Sequence, residues 1–116
     1  MLYYPYMTML RTYSPYTREA AQLLGAQILQ ARRERRWSAQ QLADRAGITR
    51  VTLNKIEQGD LTVGLGLAFE AAALVGVPLF QEDRNRLSAE VDRAQNRLAL
   101  LPQRIRTPKQ SVTDDF

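Results

Sequence analysis

Between Trp37 and Gly59 the chain reads Trp-Ser-Ala-Gln-Gln-Leu-Ala-Asp-Arg-Ala-Gly-Ile-Thr-Arg-Val-Thr-Leu-Asn-Lys-Ile-Glu-Gln-Gly, a string that few backbone arrangements satisfy. Ser38 and Gln41 are spaced as a Ser-x-x-Gln capping box, which starts a helix by satisfying two of its orphan N–H groups. Leu42, Ala43 and Ala46 continue it at helical spacing, and Gly47 supplies the left-handed residue on which a helix can stop. The turn is Gly47-Ile48-Thr49. Thr49 then caps a second helix, whose inward stripe is Leu53 and Ile56 before Gly59 ends it. Two short capped helices joined by a tight glycine turn predict a helix-turn-helix, a DNA-binding geometry.

Composition restricts the chemistry. The 116 residues contain no Cys and no His. Disulfides, thiolate or imidazole metal sites, cysteine nucleophiles and histidine bases are therefore excluded; an enzyme would have to rest on carboxylates, Ser, Lys or Tyr alone, and the chain reads as non-enzymatic, with no catalytic residue, metal or cofactor expected. No apolar run approaches the roughly 20 residues that span a bilayer, and no secretory signal is visible, which predicts a cytoplasmic regulator. Charge is uneven. Residues 1–60 hold nine Lys or Arg against five Asp or Glu, while residues 61–116 hold seven of each. The whole excess of positive charge lies with the helix-turn-helix, as expected of a phosphate-facing half.

The remaining segments follow from pattern. Residues 1–16 are rich in Tyr and Pro, with Pro5 and Pro15 interrupting any helix, and read as a flexible arm. Thr17 is placed to cap a first helix reaching about Arg36, with Ala20, Leu24, Ile28 and Ala31 as its apolar stripe. Its basic exit, Arg32-Arg33-Glu34-Arg35-Arg36, is either a phosphate-contacting cluster or a solvated face. Leu65 to Val75 reads as a buried fourth helix closed by Gly76. Pro78 fits the first turn of a short fifth, with Leu79 and Phe80 capping the core. Leu87, Val91, Ala94, Leu98 and Leu101 alternate in steps of four and three, a narrow seam that either folds back or pairs with a second subunit. Residues 102–116 carry too few apolar side chains to fold alone and read as a disordered tail. The organisation expected is an arm (1–16), a domain (17–82), a seam helix (83–101) and a tail (102–116).

Leu42-Ala43, Gly47 and Ile56-Glu57-Gln58-Gly59 resemble the lambda repressor/Cro-like (XRE) helix-turn-helix domain, over roughly residues 24–80. The resemblance implies an all-α fold, a compact five-helix DNA-binding domain followed here by an additional C-terminal helix. It implies a buried ion pair between Arg32 and Glu57. It also implies that the second motif helix enters the major groove and reads base edges through Thr49, Arg50, Val51, Asn54 and Lys55. Arg50 would fork onto guanine, Asn54 onto a purine edge, and Val51 against a thymine methyl. Ser38, Gln40 and Thr52 would contact phosphates, joined by Arg33 and Arg36 if Arg32 is taken by Glu57. Two positions depart from the family's pattern: Ala39 stands where Gln often clamps a phosphate, and Gln58-Gly59-Asp60-Leu61-Thr62 replaces a basic loop. Fewer phosphate contacts per subunit predict that a homodimer, or a larger assembly, is needed for useful affinity on an operator.

Tyr13-Ser14-Pro15-Tyr16-Thr17, the run from Phe69 to Phe80 and the Arg-Ile-Arg tail ending Asp114-Asp115-Phe116 are similar to a subgroup, the HipB-type antitoxins. That likeness implies an autorepressor with a HipA-like kinase toxin as partner. The alternatives are a stand-alone repressor and a helical interaction module that binds protein and never DNA.

Overall fold

A computed structural model describes residues 11–81 and 83–104. Its five helices are α1 (Pro15–Glu34), α2 (Ala39–Ala46), α3 (Arg50–Glu57), α4 (Leu65–Leu74) and α5 (Arg84–Ala99), so the chain is all-α as expected. The expected arm and tail lie mostly outside the described residues. The chain divides into two compact units, Met1–Leu79 with α1 to α4, and Phe80–Phe116 with α5.

The first helix begins earlier than its spacing predicts. Ser14, not Thr17, is the cap, its Oγ accepting the Thr17 N–H at 3.3 Å, and Pro15 opens the helix. Proline lacks an N–H that the first turn would leave unpaired in any case, so here it starts a helix instead of interrupting one. At the other end α1 stops at Glu34, two residues short of the expected Arg36, which adopts a left-handed φ of 60°.

In the first unit α3 packs on α1 and α2, and α4 packs on the same two helices. Their shared core is Ile28 from α1, Leu42 and Ala43 from α2, Leu53 and Ile56 from α3, and Ala71 and Ala72 from α4, closed by Val75 and Val77. Leu24, Ala31, Trp37 and Leu79 are half-buried against it. Ala20 is exposed, so the inward stripe of α1 is shorter than its periodicity suggests.

Two expectations for the segment after Gly59 are corrected. α4 buries one face only: Leu65 and Leu67 are exposed while Ala71 and Ala72 are buried. A ten-residue helix resting on α1 and α2 leaves its other side to solvent. The short helix expected at Pro78 does not form, and Phe80 is 84 % exposed at a left-handed φ of 71°, so it does not cap the core. In the second unit Asp83 caps α5 by accepting the Asn85 N–H at 2.9 Å. The helix ends at Ala99, which leaves Leu101 of the expected seam two residues beyond it, its N–H on the Leu98 carbonyl at 3.1 Å.

Gly25 explains how α1 and α3 come so close. A Cβ built there meets the carbonyl oxygens of Ile56 and Glu57, the latter at 2.7 Å, and both are backbone atoms that cannot swing aside. The absence of a side chain at Gly25 thus sets the spacing of the two helices. Gly25→Ala is expected to destabilise the domain by about 1–3 kcal/mol, the usual range for overpacking. Urea denaturation followed by circular dichroism would measure it, and an unchanged midpoint would contradict the close approach.

Candidate nucleic-acid interface

The motif is built by local hydrogen bonds. Ser38 Oγ accepts the Gln41 N–H at 3.1 Å, while Gln41 Oε1 accepts the Ser38 N–H at 2.7 Å, so both halves of the capping box are present. Gly47 ends α2 with φ 70°, and the Ile48 N–H returns to the Ala43 carbonyl at 3.0 Å. A residue with a Cβ is strained in that conformation, and the turn angle depends on it. Thr49 then caps α3, its Oγ1 accepting the Thr52 N–H at 3.1 Å.

From that cap α3 presents two opposite faces. Leu53 and Ile56 are buried, whereas Arg50, Val51, Asn54 and Lys55 are exposed. Arg50 and Asn54, like Val51 and Lys55, are four apart and therefore adjacent on the helix surface. The four form one contiguous outward strip carrying a guanidinium fork, an amide, an isopropyl group and an ammonium, a set able to read donors, acceptors and methyls on base edges. Thr49 differs from these four. Its hydroxyl accepts from the Thr52 N–H and donates to Thr52 Oγ1 at 3.0 Å, so its polar capacity serves the cap. Thr52, half-buried, keeps a hydroxyl proton to donate outward.

Around that strip, the expected phosphate-facing residues are placed unevenly. Ser38 and Gln40 are exposed at the start of α2, but the Gln40 amide donates to Asp44 Oδ1 at 2.8 Å. One amide proton remains available to another acceptor. Arg33 and Arg36 are exposed at the exit of α1. In the loop after α3, Asp60 accepts from Thr62 Oγ1 at 2.6 Å and from the Thr62 N–H at 2.7 Å. These bonds, with a smaller contribution from the Lys55 charge, hold its carboxyl below the usual carboxylate range. Asp60 is therefore anionic at neutral pH, in a loop that follows the outward strip.

An ion pair holds the platform from behind. Arg32 Nε donates to Glu57 Oε2 at 2.7 Å and Nη2 to Oε1 at 3.1 Å, a bidentate fork with both side chains at most a tenth exposed. The third contact, Nη1 to the Trp37 carbonyl at 3.0 Å, ties the loop before α2 to the same group. One guanidinium thereby links the end of α1, the end of α3 and the entry to α2. Because each partner is desolvated, Glu57→Leu is expected to cost about 3–5 kcal/mol by stranding the Arg32 charge, more than the double Arg32→Met, Glu57→Leu change. A double-mutant cycle by chemical denaturation would read the difference.

Pattern reading missed a second brace. The Arg45 guanidinium carbon stacks 4.0 Å from the centre of the Trp37 ring, and that of Arg35 lies 5.7 Å from it. Arg35 Nε also donates to the Val75 carbonyl at 3.0 Å, at the C-terminal end of α4. The only signal in the sequence was a lone tryptophan with arginines on either side. Among the described residues there is no cluster of His, Cys, Asp and Glu able to hold a metal ion.

A family model described as "Helix-turn-helix" matches residues 28–81. No curated protein and no solved structure matches the chain. The matched stretch takes in all of α2, α3 and α4 and the C-terminal part of α1, and it is an XRE-type helix-turn-helix domain with the lambda-repressor-like fold. No helix among the described residues is long and apolar enough to cross a membrane.

Proposed function

We propose that this chain is a sequence-specific DNA-binding transcriptional regulator that lays α3 in the major groove of an operator. The observation that carries the reading is the division of α3, with Leu53 and Ile56 locked in the core and Arg50, Val51, Asn54 and Lys55 exposed on the opposite side, within a matched helix-turn-helix domain. Arg50 and Asn54 supply hydrogen-bonding forks, Val51 an apolar contact, Lys55 a charge near the backbone, and Thr49 its methyl group, since its hydroxyl is committed to the cap. Ser38, Gln40, Thr52, Arg33 and Arg36 contact phosphates. They position the protein without reading sequence.

Few of these phosphate contacts are charged, so one subunit binds weakly, and a homodimer on two half-sites multiplies the affinity. Within this reading the protein is an autorepressing antitoxin of HipB type, with a HipA-like kinase toxin as its partner. The support is the likeness of the residues from Tyr13 to Thr17 and from Phe69 to Phe80, together with a tail beyond the described residues. A kinase-like reading frame beside its gene, and co-purification of the two products, are the expected observations. Their absence leaves a stand-alone repressor. Ala39 and Asp60 favour a second reading, a protein-binding module on the same fold, because both weaken a phosphate-facing surface.

Salt separates these readings. Binding to DNA from upstream of the gene should fall steeply with ionic strength, by about 0.9 in log K per log salt for each phosphate neutralised. Arg50→Ala should cost about 1–3 kcal/mol and relax preference at one base pair. Asp60→Asn should strengthen binding to all sequences alike, since it removes a negative charge without touching a base. Fluorescence anisotropy over a salt series tests all three, and equal weak binding to operator and random duplex would favour the protein-binding module.

A further inference from the structure

No residue of α5 is buried, and its large apolar residues form a single stripe: Leu87 is 37 % exposed, Val91 46 % and Leu98 65 %, with Ala94 between them. The charges beside that stripe define what fits it. In the heptad that puts Leu87 and Ala94 at d and Val91 and Leu98 at a, Glu90 and Arg97 both fall at g, while Ser88 and Gln95 fall at e. A parallel copy would set Glu90 against Gln95 and face Arg84, at the preceding a position, with its own equivalent. An antiparallel copy pairs g with g, which sets Glu90 against Arg97 of the second chain and Arg97 against its Glu90. The same alignment places Leu87 opposite Leu98 and Val91 opposite Ala94, so that large and small side chains complement each other instead of leaving an Ala–Ala gap.

We propose that two copies of this chain associate through an antiparallel, two-fold symmetric pairing of α5, with Leu87 on Leu98, Val91 on Ala94 and Glu90 on Arg97. The pairing deepens the dimer reading above and rests on it. Each chain contributes the same surface, as a two-fold interface requires, and the resulting symmetry matches that of a palindromic operator. Within each helix Glu90 already forms an ion pair with Arg93, one turn on and away from the stripe, so it stands between two cations once the copies meet. Two heptads bury less than the roughly 1,200–2,000 Å² of a standard interface. The pair is accordingly weak in free solution, and DNA strengthens it by holding both halves on one duplex.

The absence of cysteine from the whole chain makes the register directly testable. Full-length Leu87→Cys and Leu98→Cys proteins, mixed without DNA under mild oxidation, should yield a disulfide-linked dimer joining the two. Leu98→Cys alone should not, because in this register it lies about 16 Å from its own equivalent. A Leu98→Cys homodimer would show parallel pairing and overturn the proposal, as would no cross-linked product in the mixture. Without cysteines, Glu90→Arg should raise the dimer dissociation constant roughly tenfold by sedimentation equilibrium, and Glu90→Arg with Arg97→Glu should restore it. Failure of the double variant to recover would also overturn it. Circular dichroism of each variant establishes that α5 is still helical. Operator binding by the parent chain, measured separately, distinguishes failure of this interface from failure of the DNA reading.

Discussion

The Arg32–Glu57 pair is the contact on which the recognition surface depends. It joins residues 25 positions apart at 2.7 Å, and it does so where Gly25 lets the two helix backbones nearly touch. A buried ion pair is not in itself a large source of stability, because two charges must leave water to form it. What it adds is uniqueness. The guanidinium fork is satisfied only when the ends of α1 and α3 meet in one alignment, and its Nη1 bond requires the Trp37 carbonyl to be there as well. A purely apolar contact would tolerate small slips that would tilt α3.

That rigidity bears on how the surface can read a sequence. Side chains aimed from a fixed helix lose less freedom on binding than side chains carried on a loop. The local bonds extend this logic outward, since Thr49 is tied to Thr52 and Gln40 to Asp44 before any ligand arrives. The stacked Arg45 and the Arg35 bond to Val75 brace the other side of the motif, linking the α1–α2 loop to the end of α4. Positive charge in the first unit is thus divided. Arg32, buried, and Arg35 and Arg45, exposed, have partners within the fold, and Arg33, Arg36, Arg50 and Lys55 are exposed on the surface.

In the proposed reading the two units carry separate tasks, DNA contact by the first and pairing by the second. In the proposed reading, a domain with Ala39 and an anionic Asp60 makes few phosphate contacts and gains from being held as a pair. The α5 stripe, with its opposite charges at equivalent heptad positions, is the surface through which we propose that pairing. Under the proposed weak pairing, operator occupancy responds steeply to concentration, because free chains must associate as well as bind.

The helix-turn-helix was legible because its signals are local. Capping by Ser38 and Thr49, the stop at Gly47 and the inward stripe of Leu53 and Ile56 each involve residues within about one helical turn, so the order of residue types already specifies them. The outward strip of α3 was anticipated through the family likeness, and the inward spacing of Leu53 and Ile56 is compatible with it. Where two local signals competed the reading slipped. Ser14 and Thr17 both qualify as caps, and Pro15 is compatible with a helix only at its first position. Contacts between residues far apart in the chain had no such signature. The bond from Arg35 to Val75 spans 40 positions, the stacking on Trp37 selects two arginines from a run of several, and the exposure of Phe80 depends on a backbone turn that no residue type there demands. Even the partnership of Arg32 with Glu57 was anticipated through family likeness and not through spacing. Hydrogen-bond patterns one turn long are written in residue order, whereas the choice of partner for a long, flexible, charged side chain is made only once the helices have packed and brought a carbonyl, a ring or a carboxylate within its reach.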